Sequence, residues 1–434
     1  MSAFNSSTAL ASSTSTQKKL CLIGAGPVGI SAARALKAKG IAYDQFEATD
    51  KVGGNWRHGV YRSAHIISSK RTTEYPDFPM PSDYPDFPSA DQMLSYLEQY
   101  VDHYELKKNI LFNTKVEKVQ PTDDSLWQVQ LENGETRLYE GVIACNGHHW
   151  DRRWPAYEGK YTGEFIHSKD YRDPSQLKGK RVLVIGGGNS ACDIVAESAR
   201  VAAEAHLSLR RGYWFLPKTF YGIPTAEMLD TWMPVWMQRI YLAFLLKVAV
   251  GDYGDYGLPK PDHKLFEHHP TINTEVLHYL KHGKIQPHPD VKRFDGNTVE
   301  FVDGKKTDID LIVCATGYHV TLPFLDPTIV EVDGSVVRVR WGVVAPRHKQ
   351  LYIYGWAQAR YGFGPLLTPA SDLIADLIIL QRSLSNPLGR ILEKMKQPLA
   401  DDHLLNPMDA LKQVRSARRV MWLIPFIDKY AFRK

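Results

Sequence analysis

The sequence is poor in cysteine. Four occur in 434 residues, Cys21, Cys145, Cys192 and Cys314, and no two form a C-x-x-C pair. The absence of such a pair argues against a disulfide reductase, which needs a redox dithiol, and each thiol falls in or beside an apolar stretch where a small core residue is expected. The thiols read as reduced, so the expected localisation is cytoplasmic. Charge of one sign is also scarce: 53 Lys and Arg stand against 48 Asp and Glu, a net +5. That balance suits anionic cofactors and makes no case for nucleic acid. No apolar run is long and clean enough for a membrane span. The nearest, Trp232–Val250, is interrupted by Pro234, Arg239 and Lys247. Its expected role is a core or substrate-entry helix, with an interfacial helix as the second reading. Peripheral membrane contact therefore stays open, as does a homodimer. His148–His149 and His268–His269 lack partners at metal spacing, so no metal site is expected and they read as structural or surface histidines. Residues 2–16 are rich in Ser and Thr and uncharged, which points to a disordered tail over 1–17. Neither the arginines of a transit peptide nor the apolar core of a secretory signal occurs there.

What the sequence does hold is a glycine pattern set between a strand and a helix. Leu20–Ile23 is a short apolar run of the length of a buried parallel strand. Gly24, Gly26 and Gly29 follow as G-x-G-x-x-G, with Pro27 inside the motif. Ile30–Lys39 is alanine-rich and helix-forming, and Ala42–Phe46 is a second strand that ends at Glu47. Gly24 permits a tight turn, Gly26 lets a pyrophosphate approach the backbone, and Gly29 lets the helix pack on the strand. The helix N-terminus then offers free N–H groups to phosphate. Glu47 is spaced to accept a hydrogen bond from a ribose 2′-OH.

The unit occurs twice. Arg181–Ile185 is a second apolar strand, and Gly186, Gly188 and Ala191 give G-x-G-x-x-A, with Asn189 and Ser190 between them. A helix is expected over Asp193–Arg200 and a strand over Ala205–Leu209. This strand ends at Arg210 and Arg211 with no acid. An acid suits a free 2′-OH, whereas arginine suits a 2′-phosphate. The first site is thus expected to hold FAD or NAD and the second NADP, with electrons passing from NADPH to a bound flavin. Solvated surface charge remains the alternative for Arg210 and Arg211.

The rest of the chain fits around these units. A helix is expected over Asp91–Tyr104, and strands over Ile110–Val119, Trp127–Leu131 and Glu135–Tyr139. Gly141–Asn146 returns the chain to the first sheet, and Asp310–Thr316 repeats its pattern. Leu351–Gly355 reads as a last strand and Leu366–Leu380 as a last helix. The twice-occurring YPDFP, at 75–79 and 84–88, is a stiff connector or a binding loop. The expected fold class is α/β, with two Rossmann-like dinucleotide-binding domains, the second inserted in the first. The FAD domain covers 18–168 and 320–434. The NADPH domain covers 169–319 and carries a helical insertion at 224–257.

Tyr161–Pro174 reads YTGEFIHSKDYRDP. Through Gly163, His167 and Tyr171 it resembles the fingerprint F-x-G-x-x-x-H-x-x-x-(F/Y/W) of the flavin-containing monooxygenases, with Tyr161 in place of Phe. VGGNW at 52–56, GGGNSACDI at 186–194 and CATGY at 314–318 are also similar to family motifs. The resemblance runs from Lys19 to about Leu380. It implies FAD and NADPH as cofactors, and O2 and a small molecule as substrates. It also implies a cycle in which NADPH reduces FAD and O2 forms a C4a-(hydro)peroxyflavin. One oxygen atom then passes to an amine nitrogen or a sulfide sulfur. FAD contacts are implied at Gly54, Asn55, Trp56, Val116 and Gln358, and fingerprint roles beside the cofactors for His167 and Tyr171. The related Baeyer–Villiger enzymes usually carry Trp where Tyr171 stands, which favours heteroatom oxygenation. The family's usual active-site Asn aligns with Ile67. His65, two residues earlier, resembles its replacement in a multifunctional branch, some members of which perform Baeyer–Villiger oxidation, and would be the catalytic residue. A structural histidine is the alternative. Two other functions stay open: an NADPH oxidase that releases hydrogen peroxide, and a redox-sensing protein that holds both nucleotides without turnover.

Overall fold

The computed structural model describes residues 19–229 and 233–432. The tail expected at 1–17 lies outside the described residues. Ten parallel strands carry the architecture. In chain order they are β1 (Leu20–Ile23), β2 (Tyr43–Phe46), β3 (Ile110–Leu111), β4 (Gly141–Ala144), β5 (Glu164–His167), β6 (Arg181–Ile185), β7 (Glu204–Ser208), β8 (Gln286–His288), β9 (Leu311–Cys314) and β10 (Leu351–Ile353). They form two five-stranded sheets, ordered β10–β4–β1–β2–β3 and β5–β9–β6–β7–β8. β1, β4 and β9 are buried at every residue, as strands covered on both faces must be. The first sheet is completed only by β10, after the whole second sheet has been built.

Register aligns the ends that matter. Ile23 stands opposite both Phe46 and Ala144, and Ile185 opposite both Ser208 and Cys314. In each sheet three central strands therefore finish level, and the crevice beyond such carboxyl ends is where open α/β sheets bind ligands. Helix α1 (Pro27–Ala38) follows β1, and α2 (Asn189–Val201) follows β6. Two further helices matter below, α3 (Val235–Ala249) and α4 (Gly364–Arg382). The alanine-rich face of α1 packs on α4, where the Ser31 and Ser371 hydroxyls meet at 2.9 Å. Arg34 joins α1 to Asp77 and to Asp372 of α4, at 2.7 Å each. All four cysteines are buried, two in each half of the fold. Burial pushes every thiol up, that of Cys314 to about 12.

Three expectations are corrected. Ile110–Val119 is not one strand. Asn113 adopts φ 50, and the chain turns out of the first sheet after Leu111. It resumes as Val116–Pro121 in a separate antiparallel sheet with Trp127–Leu131 and Thr136–Tyr139. The boundary at 168/169 also moves. Glu158–Tyr161 pairs with Val291–Gly296, and β5 pairs with β9, so the chain joins the second sheet before residue 168. The reason is local: Phe165 packs on the core behind the second sheet and Ile166 on the core in front of it. Finally, α3 is only half a core helix. Leu242, Leu245 and Leu246 are buried against the second sheet's core, but Trp236, Ile240 and Phe244 are 61%, 65% and 64% exposed. Among the described residues no helix is long and apolar enough to cross a membrane.

Candidate active site

β1 and β6 end in the same device. Gly24 has φ +96, and a Cβ there would stand 2.5 Å from the Cys145 carbonyl oxygen. Gly186 has φ +127, and a Cβ there would stand 2.4 Å from the Ala315 carbonyl oxygen. The N–H of Cys145 donates to Ile23 and that of Ala315 to Ile185, at 2.8 and 2.9 Å. The two halves thus repeat to within a few tenths of an ångström.

Gly26 and Gly188 then cap α1 and α2 in extended conformation with no side-chain cap, and Pro27 takes the first helical position of α1. The first N–H groups of both helices are left for an incoming acceptor. A Cβ on Gly188 would meet nothing within 4 Å, and one on Gly26 would meet only the Gly54 Cα at 3.6 Å. Packing therefore requires neither glycine, and the space each leaves fits a pyrophosphate. Gly29 differs, because its Cβ would stand 2.1 Å from the Gly24 oxygen. Its counterpart Ala191 is fully buried. Both serve the contact of helix with strand.

Glu47 closes the first loop. One carboxylate oxygen accepts from the Ala25 N–H at 2.7 Å, the other from the Thr49 N–H and hydroxyl at 2.9 and 2.8 Å. A carboxylate has further lone pairs, so a ribose hydroxyl fits the same group. Gly54, at φ 54, faces Gly26. Asn55 buries its Oδ1 without a protein partner, close against Gly59 at the end of the same helical turn. Trp56 packs against both main cores and so sits between the two sheets. Val116 is buried at the start of its antiparallel strand. Gln358 lies beside His403, to whose carbonyl its N–H donates at 3.0 Å.

In the second unit the Asn189 Oδ1 accepts from the Ile272 N–H at 2.8 Å, and the Ser190 hydroxyl lies beside that of Tyr61. Arg210 is exposed. Arg211 is half-buried, donates to His268 at 2.9 Å and lies 5.4 Å above the Tyr213 ring. Its Nε has no protein partner. A Cβ on Gly187 would strike the Tyr213 ring at 2.5 Å, so this ring and Arg211 lie over the second glycine loop. That arrangement fits a 2′-phosphate held by charge and a flat stacking surface. Sequence reading missed Tyr213, although an aromatic two residues beyond Arg211 was a signal for it.

The fingerprint residues are tied into the surrounding protein. His167 is fully buried, accepts from the Lys169 N–H and donates to the Gly317 carbonyl, both at 3.1 Å. Tyr171 is fully buried and donates to Glu197 of α2. The side-chain polar atoms of both thus make hydrogen bonds to protein partners, which tie this linker to Gly317 and to α2. His65 is also engaged. The Lys218 ammonium, which can only donate, lies 2.5 Å from Nε2, and Nδ1 donates to the Ser63 carbonyl at 3.2 Å. Ile67 packs against the second core. Lys218, 153 residues from His65, had no signal in the sequence.

A family model described as "FMO-like: Flavin-binding monooxygenase-like" matches residues 17–359. The chain is similar to flavin-containing monooxygenase 5 of Homo sapiens, 32% identical over 351 residues, which is 74% of this chain and 66% of that protein. It is similar to dimethylaniline monooxygenase [N-oxide-forming] 2 of Oryctolagus cuniculus, 30% identical over 350 residues, 74% of this chain and 65% of that one. The match thus spans just under two thirds of these curated relatives. Among solved structures, OTEMO in complex with FAD and NADP has a TM-score of 0.72 at 16% identity, covering 93% of this chain and 98% of that one. A flavin-containing monooxygenase from Stenotrophomonas maltophilia has a TM-score of 0.63 at 23% identity, covering 83% and 98%. The structures agree in fold, and with the matched family model and the 32% identity the conclusion is that this chain belongs to the flavin-binding monooxygenase-like family.

Proposed function

We propose that the protein is an FAD- and NADPH-dependent monooxygenase that places one atom of O2 on a soft nucleophile, an amine nitrogen or a sulfide sulfur. The observation that carries this reading is the duplicated glycine loop, with an acid beyond the first copy and Arg211 over the second. When bound, the two nucleotides supply the redox chemistry: hydride from NADPH, and activation of O2 on the reduced flavin. The protein's part is to bind, orient and exclude water. Gly26 and Gly188 admit the two pyrophosphates, Glu47 takes a ribose hydroxyl, and Arg211 with Tyr213 selects the 2′-phosphate. Trp56 joins the cores between which the reaction is shielded. The amine choice leans on the N-oxide-forming relative, and sulfide on a fold neighbour named as an S-allyl-L-cysteine S-oxygenase. Fold neighbours named cyclohexanone monooxygenase place ketones in the substrate panel too.

The test is product analysis with purified protein, NADPH, O2 and a panel of amines, sulfides and ketones. An N- or S-oxide formed one for one with NADPH supports the reading. NADPH consumption with hydrogen peroxide as the product of O2 under every condition would sink it. That second outcome, an oxidase, has its own supporting observation. Ile67 is apolar and both His65 nitrogens are occupied, so neither side chain offers a free hydrogen bond to an oxygenated cofactor.

A further inference from the structure

Three histidine-bearing segments, remote in sequence, meet beside the carboxyl ends of the sheets. His148 and His149 follow β4. His269 lies two residues before Thr271, whose hydroxyl donates to Gly187 of the second glycine loop at 2.7 Å. His403 comes from the C-terminal segment. The His148 ring centroid lies 4.1 Å from that of His149 and 5.5 Å from that of His403, and His269 is near enough to act electrostatically on His148, His149 and His403. The described residues offer no group of three or more His, Cys, Asp or Glu able to hold a metal.

The hydrogen bonds assign the tautomers. His148 Nδ1 lies 3.0 Å from the Gly355 carbonyl. A carbonyl only accepts, so Nδ1 carries the proton and Nε2 the lone pair. That Nε2 is buried with no protein partner. The His403 ring makes its contact with the Ser335 backbone, and its Nδ1 is likewise buried and unpartnered. Gly355 backs directly onto Val28 in the first turn of α1, where a Cβ would approach to 2.9 Å. His148 is thus tied through Gly355 to the first turn of α1, and His403 lies beside it.

The surroundings select the ligand. Burial pushes His148 down to about 4 and also lowers His149 and His403, so the rings stay neutral at working pH. Lone pairs repel an anion. Lys169 beside His149 and Arg153 beside His403 disfavour a cation. We propose that His148 and His403 form a paired hydrogen-bond acceptor for a neutral N–H or O–H group of a ligand lying between the glycine loops. The two sources of that chemistry are the carboxamide of a nicotinamide and a hydroxyl of a flavin's ribityl chain. The inference rests on the dinucleotide reading given above.

Equilibrium binding tests it without turnover. His148→Phe and His403→Phe are titrated with NADP+ and with its 3-acetylpyridine analogue, which lacks the amide N–H. The apoproteins are titrated with FAD and with a 2′-deoxyribityl FAD. A carboxamide ligand predicts about 3–10-fold weaker NADP+ binding with the analogue unchanged, and a ribityl ligand the same pattern for FAD. Folded variants that bind all four ligands as the wild type does overturn the pair. Should the variants fail to fold, wild-type protein with nitrogen-15 in its histidines decides. Upfield shifts of two pyridine-type nitrogens on adding NADP+ or FAD support the pair, and no shift overturns it. Wild-type protein that takes up neither nucleotide overturns the proposed function and the pair together, whereas wild type that binds both beside unaltered variants overturns the pair alone.

Discussion

Tyr61 donates its hydroxyl proton to Asp193 across 2.6 Å, fastening the loop after the first glycine unit to the helix that opens the second. One turn further along α2, Ser63 donates to Glu197 at 2.5 Å, and Tyr171 donates to the other oxygen of the same carboxylate. Asp193 and Glu197 share a helix face because they are four residues apart. The loop that carries His65 is thus held by the helix whose first turn faces the second nucleotide site.

Glu197 is buried, so removing its partner should be felt in stability. Tyr171→Phe should cost about 1.5–3 kcal/mol, the worth of a hydrogen bond to a charged group. Glu197→Ala should cost at least as much, because it strands two hydroxyls. Urea denaturation of the nucleotide-free protein checks both. A Tyr171→Phe midpoint equal to that of the wild type would show that the clasp holds nothing.

The glycines divide into two kinds, and alanine separates them. Gly24→Ala should destabilise by about 2–4 kcal/mol, since φ is positive and the Cys145 oxygen blocks the methyl. Gly188→Ala should leave stability within about 0.5 kcal/mol yet weaken NADPH binding, because only a ligand needs that space. Thermal melts with and without NADPH read both halves of this contrast.

Arg211→Ala should weaken NADPH binding by about one to two decades, the loss of a charge-assisted contact worth about 1.5–3 kcal/mol. NADH binding should hardly change. Arg210→Ala should do less, as its side chain is exposed. Titration with both nucleotides measures the ratio, and an unchanged ratio in both variants would put the phosphate elsewhere.

Acid should unfold the second sheet from its edge. His288 of β8 lies 3.0 Å from His206 of β7 and stacks on Phe301 with ring centroids 4.0 Å apart. Burial, then His206, pushes His288 down to about 4 from 6.5, against Asp303. The folded value is below the unfolded one, so the stabilisation is fully present above pH 6.5 and is lost as pH falls toward 4. The slope from His288 is at most about 1.4 kcal/mol per pH unit, less where the ring meets solvent. Urea midpoints on either side of that window should differ, and His288→Phe should flatten the difference.

The strands were legible because each glycine unit advertises itself. LCLI and RVLVI are short apolar runs stopped by a glycine that cannot carry a side chain, and both fall where expected. Val116 and Ile110 looked alike on hydrophobicity, and only Asn113 at φ 50 separates them into two sheets. The outer stripe of α3 was not legible, because apolar residues on all sides of a helix do not reveal which side is covered. His65 could be suspected from its spacing, but the Lys218 contact depends on a fold that joins residues 153 apart. The proximity of His148 and His403 was hidden for the same reason, since the fold alone brings these two remote residues together.

The buried thiols make the protein a blank background for chemical labelling. The thiolate is the species that alkylates, and burial holds all four thiols protonated. A cysteine placed in the exposed Asn133–Gly134 turn would then be the one position a maleimide dye finds on the native protein. The native four divide evenly, Cys21 and Cys145 with the first sheet, Cys192 and Cys314 with the second. The order in which they become reactive in rising urea is therefore a clock that reads the opening of each half separately.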